Sequence, residues 1–92
     1  MMDDASAMES IRLLAGSLRA LNQQAVREYT PVTETILRTR SRDVGHIERT
    51  LDGLLSFCRH EPVLQLYTSL CRHYFPIDPS ATVDYINAHR DM

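Results

Sequence analysis

Apolar residues recur at steps of three and four along the first third of the chain, a spacing typical of one face of an α-helix. This apolar stripe consists of Ala7, Ile11, Leu14, Leu18, Leu21 and Ala25. Asp3, Asp4 and Glu9 stand at its beginning, where negative charge is favourable beside the positive end of the helix dipole. The pattern predicts a helix over residues 5–28.

Three prolines, each behind a polar residue, divide the remainder of the chain. Proline is favoured at the first position of a helix, because the N–H group that it lacks would have no intrahelical partner there. The three pairs are Thr30-Pro31, Glu61-Pro62 and Asp78-Pro79. Thr and Asp are also good N-caps, since their side-chain oxygens accept a backbone N–H. We therefore predict further helices over residues 31–60, 62–74 and 79–90.

The predicted helix over residues 31–60 is the longest. The sequence leaves open whether this helix is continuous or broken. Leu37, Val44 and Leu51 keep a seven-residue spacing, which favours one uninterrupted helix. The alternative is a break within residues 40–45, where Ser41 or Asp43 would cap a new helix. The expected architecture is the continuous one.

Strand signals are nearly absent, because the chain has only three glycines and no sustained alternation of apolar and polar residues. The prediction is one all-α domain of three or four helices over residues 1–92. Its two long helices form an antiparallel hairpin, and two short C-terminal helices pack on it. Arms of ~36 and ~45 Å are long for so few helices to cover, so we include a homodimer among the expected assemblies.

Composition narrows the classes of function. Ten Arg and no Lys against twelve Asp and Glu leave a net charge of −2, so the chain is not a globally basic nucleic-acid binder. No stretch approaches the roughly 20 apolar residues of a membrane-spanning helix, and the acidic start is unlike a secretory leader. Two cysteines without an export signal predict free thiols and a cytoplasmic setting.

A tripeptide occurs twice, as Cys58-Arg59-His60 and as Cys71-Arg72-His73. Two Cys and two His suggest zinc, but residues two apart on a helix point to opposite faces, and the two copies end successive helices. The interpretation is that each Cys lies in the core and that each Arg and His lies in a last helical turn. We expect no metal, no cofactor and no catalytic cysteine, with Cys58, His60, Cys71 and His73 as weak zinc candidates.

The outward face of the helix over residues 31–60 carries the clearest functional pattern. At about 100° per residue, several basic side chains and one serine fall on a single side, opposite the leucines. They are Arg38, Arg42, His46, Arg49, Ser56 and His60. Gly45 and Gly53 flank the same side, where a glycine makes sense if another backbone comes close.

This pattern predicts a small, non-enzymatic protein interaction module of the regulator, adaptor or inhibitor type. Its basic face docks on the acidic surface of another protein, and Tyr74 and Phe75 add apolar contacts from an exposed segment. One alternative is a nucleic-acid-binding protein that uses the same Arg face. Another is a zinc site built from the Cys and His repeat, and a third is that the basic face is simply solvated.

Overall fold

Four α-helices make up the protein, as the computed structural model shows for residues 4–90, with the side chains of residues 12, 14 and 16–90. The helices are α1 (Asp4–Thr39), α2 (Val44–Leu55), α3 (Glu61–Tyr74) and α4 (Pro79–Arg90). These residues contain no strand, which confirms the predicted all-helical class. Within this range, no helix combines the length and the apolar character that crossing a bilayer requires.

Helix α1 continues through Pro31, so the predicted division between helices at Thr30-Pro31 is wrong. A proline inside a helix removes one backbone hydrogen bond and costs about 3 kcal/mol. Residues on both sides of Pro31 offset this cost, because Ala25, Thr33 and Ile36 are all buried against the remainder of the fold. Tertiary packing thus overrides the local preference for a new helix.

Helix α1 ends at Thr39, so the predicted continuous helix over residues 31–60 is also wrong. Arg40 has a φ of 52°, in the left-handed region. The Ser41 N–H donates to the Ile36 carbonyl at 3.1 Å, and the Arg40 N–H donates to the Leu37 carbonyl at 3.3 Å. These two bonds form a Schellman motif, which satisfies carbonyl groups that a helix end leaves free.

Helix α2 begins at the position that the alternative prediction named. Asp43 is its N-cap, and its carboxylate accepts the His46 N–H at 3.2 Å. Beyond Leu55 the chain forms a turn over residues 56–60 in place of the predicted helical continuation. Helices α3 and α4 then start next to Pro62 and at Pro79, within one residue of their predicted bounds.

The core is built around α3, which packs on each of the other three helices. Its inward face is continuous with buried residues of α1 and α2 and of the turn after α2. The core residues are Ala25, Ile36, Ile47, Leu51, Leu54, Cys58, Val63, Tyr67, Leu70, Cys71 and Tyr74. Burial of this apolar area is the main source of stability for the three packed helices.

The predicted hairpin of two long helices is not formed, because α2 has only 12 residues whereas α1 has 36. Helix α2 therefore covers only the C-terminal part of α1. Leu14, Leu18 and Leu21, which the hairpin would bury, are 63%, 56% and 50% exposed. Helix α1 alone is ~54 Å long and accounts for most of the 59 Å long axis of the molecule.

Tyr29 explains why residue 53 is a glycine. The Tyr29 ring and hydroxyl of α1 occupy the space that a Cβ atom at Gly53 would fill. Gly53 was expected to admit the backbone of a partner, and this expectation is wrong because the neighbour is a side chain of the same chain. The contact instead fixes how closely α1 and α2 approach.

Candidate functional site

The cations of the predicted basic face gather around the turn that joins α1 and α2. We call this group the basic corner; it comprises Arg38, Arg40, Arg42, His46 and Arg49. Arg38 is in the last turn of α1, Arg42 is in the connecting turn, and His46 and Arg49 are on α2. All five side chains are exposed. The predicted residues therefore lie near one another, but at a bend of the chain and not along one helix.

The backbone of the basic corner is held in place by α3. The His73 ring lies with Nε2 2.6 Å from the Ser41 carbonyl oxygen. Because a carbonyl oxygen only accepts, His73 donates its Nε2–H in this hydrogen bond. The Ser41 hydroxyl oxygen in turn accepts the Asp43 N–H at 3.3 Å. This side of α3 thus orders a turn that presents cations to solvent.

The basic corner is locally positive on a chain whose formal charge is −2. Residues 38–49 hold four arginines against Asp43 and Glu48, a local charge of +2. The Glu48 carboxylate is engaged by the Tyr74 hydroxyl, and Asp43 is engaged as the N-cap of α2. A Cβ atom added at Gly45 would lie 3.5 Å from the Arg49 guanidinium. The Arg49 side chain therefore extends along α2 towards the turn.

Arg40 was not among the predicted site residues, although it stands at the centre of the basic corner. A helical projection of residues 31–60 placed it away from the face of Arg38 and Arg42. A count of charges in a short window would have found it, because arginine alternates with Thr39 and Ser41 over residues 38–42. Because the helix breaks at this turn, the clustering of arginines along the sequence predicts the site better than a helical projection does.

His60 is separate from the basic corner, contrary to the prediction that placed both on one face. It is the N-cap residue of α3, beyond the far end of α2, and its side chain makes no capping hydrogen bond. It lines a shallow groove with Arg27 and Pro62 at the side of α1. The prediction assumed a continuous helix over residues 31–60, but the chain forms a turn after Leu55, so His60 does not share a helical face with the basic corner.

Tyr74 is fully buried, so the prediction that it lies in an exposed segment is wrong. Its hydroxyl donates to the Glu48 carboxylate, which joins α3 to α2. Burial, together with this hydrogen bond, raises the pKa of Tyr74 above its ordinary value. Phe75, by contrast, is 51% exposed, as predicted.

Phe75 lies at the rim of an apolar cavity of about 330 Å³ between α3 and α4. Leu64, Tyr67, Cys71, Ile86 and His89 are among the residues that line it. The Tyr67 hydroxyl donates to the Tyr85 carbonyl at 2.6 Å and is not free to bind a ligand. His89 Nδ1 is buried and has no hydrogen-bond partner among the described residues. The cavity therefore offers mainly apolar contact.

Both cysteines are free and buried. The Cys58 thiol donates to the Leu54 carbonyl at 3.3 Å. Burial, and then the charge of Cys71, raises the pKa of Cys58 to about 11, and burial raises that of Cys71 to about 11. A thiol with a raised pKa is a weak nucleophile near neutral pH.

The Cys and His residues of the repeated tripeptide have different surroundings. Cys58 and Cys71 belong to the core, His60 lines the groove at α1, and His73 bonds to Ser41. Among residues 4–90, no three His, Cys, Asp or Glu side chains converge in a group that could hold a metal ion.

Comparison with protein-family models, curated proteins and solved structures finds no match to the chain.

Proposed function

We propose that this protein is a small, non-enzymatic interaction module of the regulator, adaptor or inhibitor type. It docks the basic corner on an acidic surface of a partner protein. The observation that supports this function most is the exposure of five basic side chains around one turn, whose backbone is anchored by His73. An ordered turn loses little conformational entropy on binding, so its cations are pre-organised for carboxylates.

The partner is a protein rather than a nucleic acid in this proposal. A helix that reads a groove would need its arginines on one continuous helical face, and the break at Arg40 removes that face. The local charge of +2 is also small beside the six to ten phosphate contacts of a tight DNA binder. We place the protein in the cytoplasm, where a reducing environment suits two free thiols.

Affinity capture from an extract of the source cells tests this function. The tagged chain is compared with a variant that carries Arg42→Glu and Arg49→Glu together. The double substitution reverses two charges of the basic corner, and because both side chains are exposed the fold is expected to survive. We expect the captured partner to be lost from this variant and to be released from the native chain as salt rises.

The matched control carries Arg12→Glu and Arg90→Glu, two exposed arginines far from the basic corner in the sequence. This control changes the net charge equally and is expected to capture the partner as the native chain does. Capture that survives Arg42→Glu/Arg49→Glu, or that is lost equally in the control, would remove the basic corner from the binding surface. A gel shift with mixed-sequence DNA at low salt would show a nucleic-acid function directly.

A further inference from the structure

A groove of about 440 Å³ opens beside the basic corner, between the last turns of α1 and the start of α2. We call it the corner groove. Pro31, Val32 and Ile36 of α1 line it with apolar atoms, and Ile36 is buried at its base. Ser41 of the connecting turn and His46 of α2 complete its wall. Because His46 belongs to the basic corner, an apolar surface and a group of cations meet at this residue.

His46 also lines a second and smaller hollow, of about 260 Å³, together with Tyr29, Arg49 and Thr50. Only His46 is common to the two linings, and its side chain is exposed. It therefore stands where the corner groove and this second hollow adjoin. A peptide that crosses His46 would meet the apolar floor on one side and Arg49 on the other.

The charges around the corner groove favour an acidic occupant. Among the described residues, none that lines the groove is acidic, and residues 38–49 beside it carry the local charge of +2. Exposed ion pairs alone contribute little to affinity, because water solvates both charges. An apolar side chain that leaves water for the groove contributes more, since burial of apolar surface is the main favourable term in most protein association. A segment that carries both groups is complementary to both surfaces.

The length of the corner groove limits how much of a partner it holds. Its lining extends along α1 from Pro31 to Thr39, which is about 12 Å at 1.5 Å per residue. An extended chain rises about 3.3 Å per residue, so three to four residues span this distance. The groove thus accommodates one large apolar side chain together with its immediate neighbours.

We propose that the basic corner recognises an extended acidic segment of its partner that carries one large apolar side chain. This side chain occupies the corner groove, and a neighbouring carboxylate pairs with Arg49. The inference rests on the proposed docking function and names the chemistry of the partner. The cations select the acidic segment, and the groove selects the position of its apolar residue.

A fluorescence polarisation titration of the full chain at low salt tests this proposal with two labelled peptides. Each peptide holds six glutamates, with a leucine at the centre of one and an alanine at the centre of the other. We expect the leucine peptide to bind about tenfold more tightly, because its three additional carbons are partly removed from water in the corner groove. Arg42→Glu/Arg49→Glu should weaken the binding of both peptides alike.

Two variants of the corner groove test where the leucine binds. Val32→Gln places a polar side chain on the apolar floor, and Thr35→Trp fills the groove from an exposed position that leaves the core unchanged. Both should remove the preference for leucine but keep the binding of the alanine peptide. Val83→Gln, at an exposed valine of α4, is the matched control and should keep the preference.

The results separate this inference from the docking function. Equal affinity of the native chain for the two peptides, or a preference that survives Thr35→Trp, would overturn the inference and leave the basic corner intact. Equally tight binding of a leucine peptide with glutamine in place of glutamate would also overturn it, because acidic groups would then have no part in recognition. Peptide binding that is unchanged in Arg42→Glu/Arg49→Glu would overturn the docking function and this inference together.

Discussion

At Arg40 the backbone adopts a left-handed conformation that residues other than glycine rarely occupy. Such a residue is usually glycine at a helix C-terminus, because a Cβ atom is strained there. The strain is offset by the Schellman hydrogen bonds and by the core that forms when α2 folds back along α1. One strained residue thus determines where the basic corner lies.

Replacing Arg40 with glycine is expected to stabilise the protein. Glycine relieves the strain at φ 52°, and the larger freedom that it gives the unfolded chain offsets part of the gain. We expect the free energy of unfolding to rise by about 0.5–1 kcal/mol, measured by urea denaturation. Arg38→Gly, inside the last turn of α1, is the control and should lower stability by a similar amount. A destabilised Arg40→Gly would contradict the strained conformation.

Some of these local features could be predicted from the sequence and others could not. Asp43 and Asp78 cap helices, as their residue type and position indicated, and Asp78 accepts the Ala81 N–H at 3.1 Å. The end of α1 carries no glycine, so nothing in the residue types marked Arg40 as its C-terminal signal. Pro31 predicted a helix start, but it lies inside α1. The sequence could not show this, because the cost of a proline inside a helix is offset here by packing against residues that lie far away in the sequence.

At the scale of elements, tyrosine hydroxyls tie the two C-terminal helices to α2. The Tyr74 hydroxyl of α3 donates to the Glu48 carboxylate, and the Tyr85 hydroxyl of α4 donates to the Asp52 carboxylate at 2.8 Å. Burial, followed by the hydrogen bond to Asp52, raises the pKa of Tyr85 above its ordinary value. Burial likewise raises the pKa of Tyr67, whose hydroxyl joins α3 to α4.

The raised pKa values of these three tyrosines and of the two buried cysteines predict that the fold loses stability at alkaline pH. The native state holds these protons more tightly than the unfolded chain, so the stabilisation is complete below the unfolded pKa values and is lost above them. We expect the urea midpoint to be constant to about pH 8 and to fall as the unfolded thiols ionise. It should fall more steeply above about pH 10, where the unfolded tyrosines follow.

Tyr85→Phe provides the matched variant for this pH dependence. It removes one titrating hydroxyl and its hydrogen bond to Asp52 but keeps the ring. We expect a lower midpoint at neutral pH and a shallower fall above about pH 10, because one fewer proton separates the two states. A midpoint that stays level through this range, or a slope unchanged in Tyr85→Phe, would contradict the role of the tyrosine bonds.

The elements differ in how far sequence alone could place them. Helices α3 and α4 have their predicted bounds to within one residue, because each has a proline at its first or second position and is short enough for one amphipathic face to define it. The first two helices were predicted over residues 5–28 and 31–60, whereas α1 spans Asp4–Thr39 and α2 spans Val44–Leu55. Their apolar spacing continues across residues 40–43, and only the contact of α2 with α1 and α3 shows that the chain turns back there.

At the scale of the whole molecule, α1 separates two surfaces of different character. Its C-terminal end carries Arg38 and leads into the basic corner, whereas its N-terminal half carries the exposed side chains of Leu14, Leu18 and Leu21. Both surfaces follow from the same feature, since the break after Thr39 creates the corner and leaves the leucines without cover.

The measurement that most directly tests the proposed docking is an NMR titration of the full chain with an oligoglutamate peptide at low salt. If the basic corner binds carboxylates, amide shifts will change mainly over residues 38–49, and these changes will vanish in Arg42→Glu/Arg49→Glu and as salt is added. Changes of equal size around Arg12, Arg72 and Arg90, or none over residues 38–49, would contradict a dedicated acidic-partner site at this turn.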